Sequence, residues 1–228
     1  MLPVSEKELS DVLKKLDISD INNATIRQCV NVANELENIS GEKFVHLEFG
    51  IPGIAACQIG VDAQKKALDS GYASVYPPAC GIQELKDNGA RFVKAFTGID
   101  INPEGIVPTT GSMQGCYNLL LECSQLNPDK DTVVYLNPGF PSHYVQAKVI
   151  GLKTRMFDIY DCRGELLRDK LESLFSDGKV CAIVYSNPNN PSWVCLTEAE
   201  LKILGEMCTK YDVIALEDMA YMCMDFRR

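Results

Sequence analysis

Four short segments of this chain combine residue types that could act on a small ligand. Gly111, Ser112, Met113 and Gln114 follow a β-rich run and open a helical one, so helix N–H groups and a hydroxyl would face an anion there. The turn NPGFP carries a flat aromatic, Phe140, at its tip. SNPNNPS supplies Asn187, Asn189 and Asn190 as amide donors on a turn stiffened by Pro188 and Pro191. The run DVIAL leads into Glu217, Asp218, Met219, Ala220 and Tyr221. A carboxylate at such a strand end is costly if buried alone, and a cationic ligand nitrogen would stabilise it. Each segment by itself is also ordinary turn, cap or solvated-acid chemistry. Taken in order, they offer an anion cradle, a ring face, an amide donor and an acid.

The elements that must position these residues follow from periodicity. From Ile106 onward, β-rich runs alternate with helical ones: IVPTT, TVVYL, TRMFDIY, VCAIVYS and DVIAL read as strands. Between them, CYNLLLECSQL, SHYVQAKVIGL, ELLRDKLESLF and the stretch 197–211 read as helices, the last opened by a capping box of Thr197 and Glu200. Strands apolar on both faces predict a parallel sheet covered by helices on both sides, a three-layer α/β/α fold. In such sheets ligands bind beyond the carboxyl ends of the strands, where the four segments fall. The first hundred residues differ. They predict helices near 5–16, 20–38, 61–70 and 82–97, with a short strand at VHLEFG. We expect an N-terminal arm and small-lobe segment over residues 1–50, and a large domain over 51–228.

Composition narrows the classes. Apolar residues make up 46% of the 228 and charged residues 23%, an ordinary globular balance. The net charge of −9 disfavours a nucleic-acid partner, which needs a basic surface. Ten cysteines form no C-x-x-C pair and only two histidines, His46 and His143, could join a metal site, so no metal is expected. Scattered reduced thiols and an N-terminus without an apolar core segment suggest a cytoplasmic protein. No run of apolar residues is long enough to span a membrane.

The joint set at the strand ends matches what pyridoxal 5'-phosphate (PLP) requires: contacts for a phosphate, a ring face, a phenolic oxygen and a pyridinium nitrogen. At these residues the chain also resembles the class I/II aminotransferase family of fold-type I PLP-dependent enzymes. The likeness runs from about Val45 to the end, carried by YPPACGIQELKD, IVPTTGSMQG, YLNPGFPSHY, SNPNNPS and ALEDMAY. It implies that Gly111, Ser112, Met113 and Gln114 hold the phosphate and that Phe140 stacks on the ring. It further implies that Asn190 and Tyr221 bond the ring oxygen and that Asp218 pairs with the ring nitrogen. Tyr76 would reach the cofactor of a neighbouring subunit in a homodimer. Gly50 would lie beside the substrate carboxylate, with Asn190 also near the substrate. Two departures stand out: Ser192-Trp193 replaces the usual Thr-Gly, implying a different loop shape, and Leu85-Lys86 replaces Leu-Arg, keeping the charge without the forked donors.

The family's cofactor-linked lysine lies tens of residues beyond the D-x-A-Y motif, so the resemblance implies the N-terminal part of a longer enzyme whose catalytic lysine is absent here. Lys202 and Lys210 read as exposed helix faces. The expected activity is transamination between an amino acid and a 2-oxo acid. The same parts also serve carbon–sulfur lyases, decarboxylases and synthases, or a non-catalytic PLP-fold module or inactive fragment. An incomplete large domain would expose sheet edge and apolar surface and tend to aggregate.

Overall fold

The computed structural model describes residues 4–48, 50 and 53–224. It divides into two compact units, Met1–Tyr76 and Pro77–Arg228.

In the first unit, α1 (Glu6–Lys15) and α2 (Ile26–Ser40) each start at a capping box, Ser5 with Glu8 and Thr25 with Gln28. The two boxes satisfy otherwise orphaned N–H groups. Their apolar stripes meet around Val12, Ile18, Val32 and Leu36. A third helix, α3 (Gln58–Asp69), buries none of its residues. The strand expected at VHLEFG is not formed by residues 45–48 or 50, and Phe49 lies outside the described residues. Val45 and Leu47 project into solvent with no ladder partner, and an isolated extended segment is not a strand.

The second unit is the expected α/β/α sandwich. Its helices are α4 (Gln83–Thr97), α5 (Ser112–Leu126), α6 (Pro141–Ile150), α7 (Leu166–Phe175) and α8 (Glu198–Tyr211). Four strands, β1 (Thr132–Asn137), β2 (Lys153–Asp158), β3 (Val180–Ser186) and β4 (Ile214–Asp218), pair in the order β2-β1-β3-β4, every pair parallel. Alternate side chains face opposite layers. Val134, Leu136 and Ile183 join Leu167, Leu171, Phe175, Ile203 and Leu204 of α7 and α8. Val133, Tyr135 and Val184 join Leu120 of α5 and Ala147 of α6 on the other side. The β1–β3 register slips near Thr132, so Cys181 and Ala182 both face the α5–α6 layer.

Two expectations about strands need correcting. Residues 106–110 form no strand, although Ile106 is extended at φ −94° and ψ 123°. Extended backbone becomes a strand only when a neighbour completes its ladder, and none of the four strands pairs with it. The last strand begins at Ile214, not Asp212. Asp212 ends α8 in a left-handed conformation, φ 52°, with the buried Lys130 ammonium bonded to its carboxylate and to the Tyr211 carbonyl. Every residue of β3 is buried, whereas Ile214, Ala215 and Glu217 of β4 are exposed. Leu119, Leu121 and Leu126 of α5 add to that uncovered apolar surface. Among the described residues no helix is long and apolar enough to cross a membrane.

Candidate active site

The sheet order reverses between β1 and β3, so the crevice beyond their carboxyl ends is the place where open α/β sheets bind ligands. From β1 the chain enters NPGFP, where a Cβ on Gly139 would collide with the Tyr144 hydroxyl and the Leu136 carbonyl. Only glycine lets the backbone turn that close, which delivers Phe140 as the residue before α6. From β3 the chain enters SNPNNPS. Asn187 accepts the Leu196 N–H at 3.1 Å, and the buried Asn189 accepts the Ser192 hydroxyl at 2.8 Å. These two asparagines therefore build the loop. Asn190 is left partly exposed, its N–H donating to Ser186 Oγ at 3.0 Å.

Asp218 ends β4 directly opposite Ser186 in the ladder, so Asn190 and Asp218 are held at adjacent strand tips. The Asp218 carboxylate accepts the Ala220 N–H at 3.1 Å and lies 3.4 Å from Nε2 of the buried His143. That contact, chiefly, holds Asp218 below its ordinary pKa despite partial burial. Burial opposes a proton on His143, but Asp218, with Cys116 alongside, outweighs it and raises the imidazole to about 9. The pair is therefore a carboxylate facing an imidazolium at neutral pH. His143 also meets the Phe140 ring edge-on, centroids 5.4 Å apart. His143 thus connects the proposed ring-stacking residue to the proposed acid. In the sequence His143 stands out only as one of two histidines available to a metal site. Its position three residues after Phe140, in the first turn of a helix, was the available signal.

Ser112 opens α5 behind Gly111, whose φ of 78° and ψ of 160° lie in a region open essentially to glycine. No side chain caps α5, so its first-turn N–H groups stay available, as helix geometry requires. Gln114 turns its side chain back to accept the Thr110 N–H at 2.6 Å, and the Met113 carbonyl accepts the Gln146 amide at 2.8 Å. Among the described residues the Ser112 and Tyr221 hydroxyls have no hydrogen-bond partner. Ser112 and Asp218 line one cavity of about 480 Å³, together with Cys116, Leu119 and Ala220. Tyr221 lies just past β4, its ring 5.8 Å from that of Trp193. Gly50 and Tyr76 belong to the first unit, where both are exposed.

Lys86, at the family's arginine position, is buried with its ammonium 2.7 Å from Glu104, which ties α4 to the loop before α5. Trp193 has φ 59°, so the substitution leaves a backbone that glycine would also adopt and adds an indole. Lys202 and Lys210 lie on the exposed side of α8, Lys210 paired with Glu172 at 2.8 Å.

An open helix N-terminus, an unpartnered hydroxyl and an ionised acid around one cavity form a donor set suited to a phosphorylated cofactor with a protonated ring. The parallel three-layer fold matches the large domain of fold-type I PLP enzymes. The family described as "Aminotransferase class I and II" matches residues 44–227, and the chain belongs to it. An aspartate aminotransferase from Bacillus subtilis (strain 168) is 27% identical over 205 residues, covering 90% of this chain and 51% of its own length. An aspartate aminotransferase from Pyrococcus horikoshii is 29% identical over 202 residues, covering 88% and 49%. The solved structure of an archaeal alanine:glyoxylate aminotransferase superposes with a TM-score of 0.71 at 26% identity, covering 99% of this chain and 52% of that one. The chain spans about half the length of the curated relatives it matches.

Proposed function

We propose that this chain is the N-terminal, cofactor-binding part of a PLP-dependent aminotransferase exchanging an amino group between an amino acid and a 2-oxo acid. The observation that carries the reading is the ionised Asp218 at the end of β4, sharing one cavity with Ser112 at the uncapped start of α5. PLP, when bound, supplies the electron sink for deprotonation at a substrate α-carbon. The residues of this chain bind and tune it. Ser112 and the N–H groups of Met113 and Gln114 hold the phosphate, Gly111 permitting the turn. Phe140 lies against the ring. Asp218, set in place by His143, keeps a proton on the ring nitrogen. Asn190 and Tyr221 donate to the ring oxygen.

Among the described residues no lysine lines the cavity. The lysine that completes turnover is proposed to lie in the remainder of a longer protein. A homodimer, with Tyr76 reaching the partner's phosphate and Gly50 near the substrate carboxylate, belongs to the same proposal.

The test uses pyridoxamine phosphate, whose amine cannot condense with surface lysines. In equilibrium dialysis the chain should bind it saturably, and Asp218→Asn should weaken binding by about tenfold or more, as loss of one charge-assisted contact requires. Absence of saturable binding, or equal affinity in Asp218→Asn, overturns the reading.

A further inference from the structure

The loop between β3 and α8 holds a bulky aromatic in a backbone conformation that such residues rarely adopt. Trp193 has φ 59°, in the left-handed region. The surrounding hydrogen bonds enforce it. The Trp193 N–H donates to the Asn189 carbonyl at 2.8 Å, and the Asn189 N–H donates to the Val194 carbonyl at 2.9 Å. The Ser192 hydroxyl donates to Asn189 Oδ1, and the Tyr160 hydroxyl donates to the Ser192 carbonyl at 3.3 Å. Such outliers persist where the structure over-determines them, and they gather at functional sites.

Glycine would meet the backbone requirement at no steric cost, so burial or turn geometry does not explain an indole there. Trp193 is 53% exposed. Its ring contact is Tyr221, at 5.8 Å and 67° between planes, an edge-to-face arrangement. Tyr221 sits in the turn after β4, partly exposed, followed by a short helical turn at Met222–Met224. Among the described residues no hydrogen bond orients its hydroxyl.

We propose that Trp193 is a positioning residue: its indole edge sets the Tyr221 ring so that the phenol is pre-aimed at the oxygen of the bound cofactor ring. This rests on the reading of Tyr221 as a donor to that oxygen. The left-handed backbone at residue 193 is what swings the indole onto Tyr221, and the hydrogen-bonded loop holds it there.

Dialysis with pyridoxamine phosphate on the 228-residue chain tests it, with urea unfolding measured in parallel. Trp193→Gly should lower affinity by about threefold to tenfold, the range of one aromatic contact. Its urea midpoint should stay within error of wild type or rise, since glycine relieves the left-handed strain. Trp193→Phe should restore most of the affinity. In a Tyr221→Phe background, Trp193→Gly should cost little more, because the indole acts through the phenol. Trp193 is the one tryptophan of the 228-residue chain, so its emission should be quenched as ligand saturates the wild-type chain. Wild-type affinity in Trp193→Gly, full additivity with Tyr221→Phe, or unquenched emission each overturns the proposal. Binding that depends on Asp218 but not on Trp193 sinks this proposal alone, whereas no saturable binding by the wild-type chain sinks both.

Discussion

Replacing His143 with glutamine tests the electrostatics of the strand-end acid most directly. His143 is buried and its Nε2 lies 3.4 Å from Asp218. Its pKa is raised from 6.5 to about 9, and Asp218 is correspondingly depressed. Both shifts share the His143–Asp218 contact, and Cys116 adds to that of the histidine. At about 1.4 kcal/mol per pKa unit, the histidine shift corresponds to roughly 3 kcal/mol of stability. The sign follows from linkage. A raised histidine pKa stabilises the fold fully below 6.5, while Asp218 remains ionised, and that contribution is lost as pH rises through about 9. Urea unfolding of wild type and His143→Gln should therefore differ by about 2–3 kcal/mol near pH 6, the gap closing by about pH 10. A residue of the difference that does not vary with pH would report the lost ring contact with Phe140. An equal difference at both pH values would refute the ion-pair assignment, and a gap widening with pH would reverse its sign.

Two further outcomes concern the frame of the site. Glu200 is buried and accepts from both Nε and Nη2 of Arg163, from Gly164 and from Thr197, which holds its pKa at about 2. Glu200→Gln should cost about 2 kcal/mol at neutral pH, discounted because Arg163 is partly exposed, and the deficit should vanish as pH falls from the ordinary carboxylate value of 4.5 through about 2. Denaturation midpoints from pH 7 down to pH 2 check it, and a constant deficit would contradict it. Gly111→Ala meets no neighbouring atom within 4 Å, so any penalty there is backbone strain, about 1–3 kcal/mol. If the turn relaxes instead, affinity for pyridoxamine phosphate should fall while stability holds. A variant unchanged in both would show that the turn does not need glycine.

Much of the second unit was legible because its signals are local. VCAIVYS reads as a buried strand because it is a short, β-branched, continuous apolar run bounded by turn residues, and β3 is buried throughout. Thr197 and Glu200 announce α8 through a capping box that uses only neighbouring backbone groups. IVPTT misled for the complementary reason. Its residues have strand character, but a strand also needs a partner, and pairing is not a property of the segment. Glu217 and Asp218 looked alike in the sequence as adjacent acids at one strand end. Although Glu217 is exposed as a whole residue, burial around its carboxyl raises its pKa, whereas the His143 contact lowers that of Asp218, and that difference arises from neighbours on other elements.

The amino-acid order alone thus determined which residue types stand at each strand end, and where most helices begin and end. Those features depend on side-chain periodicity and on hydrogen bonds a few residues long. Only the tertiary structure decided that β3 and β4 stand side by side with Ser186 opposite Asp218, that His143 of α6 reaches that acid, and that Trp193 leans on Tyr221. These contacts join elements far apart in the chain, and the packing of helices on a shared sheet brings them within bonding distance.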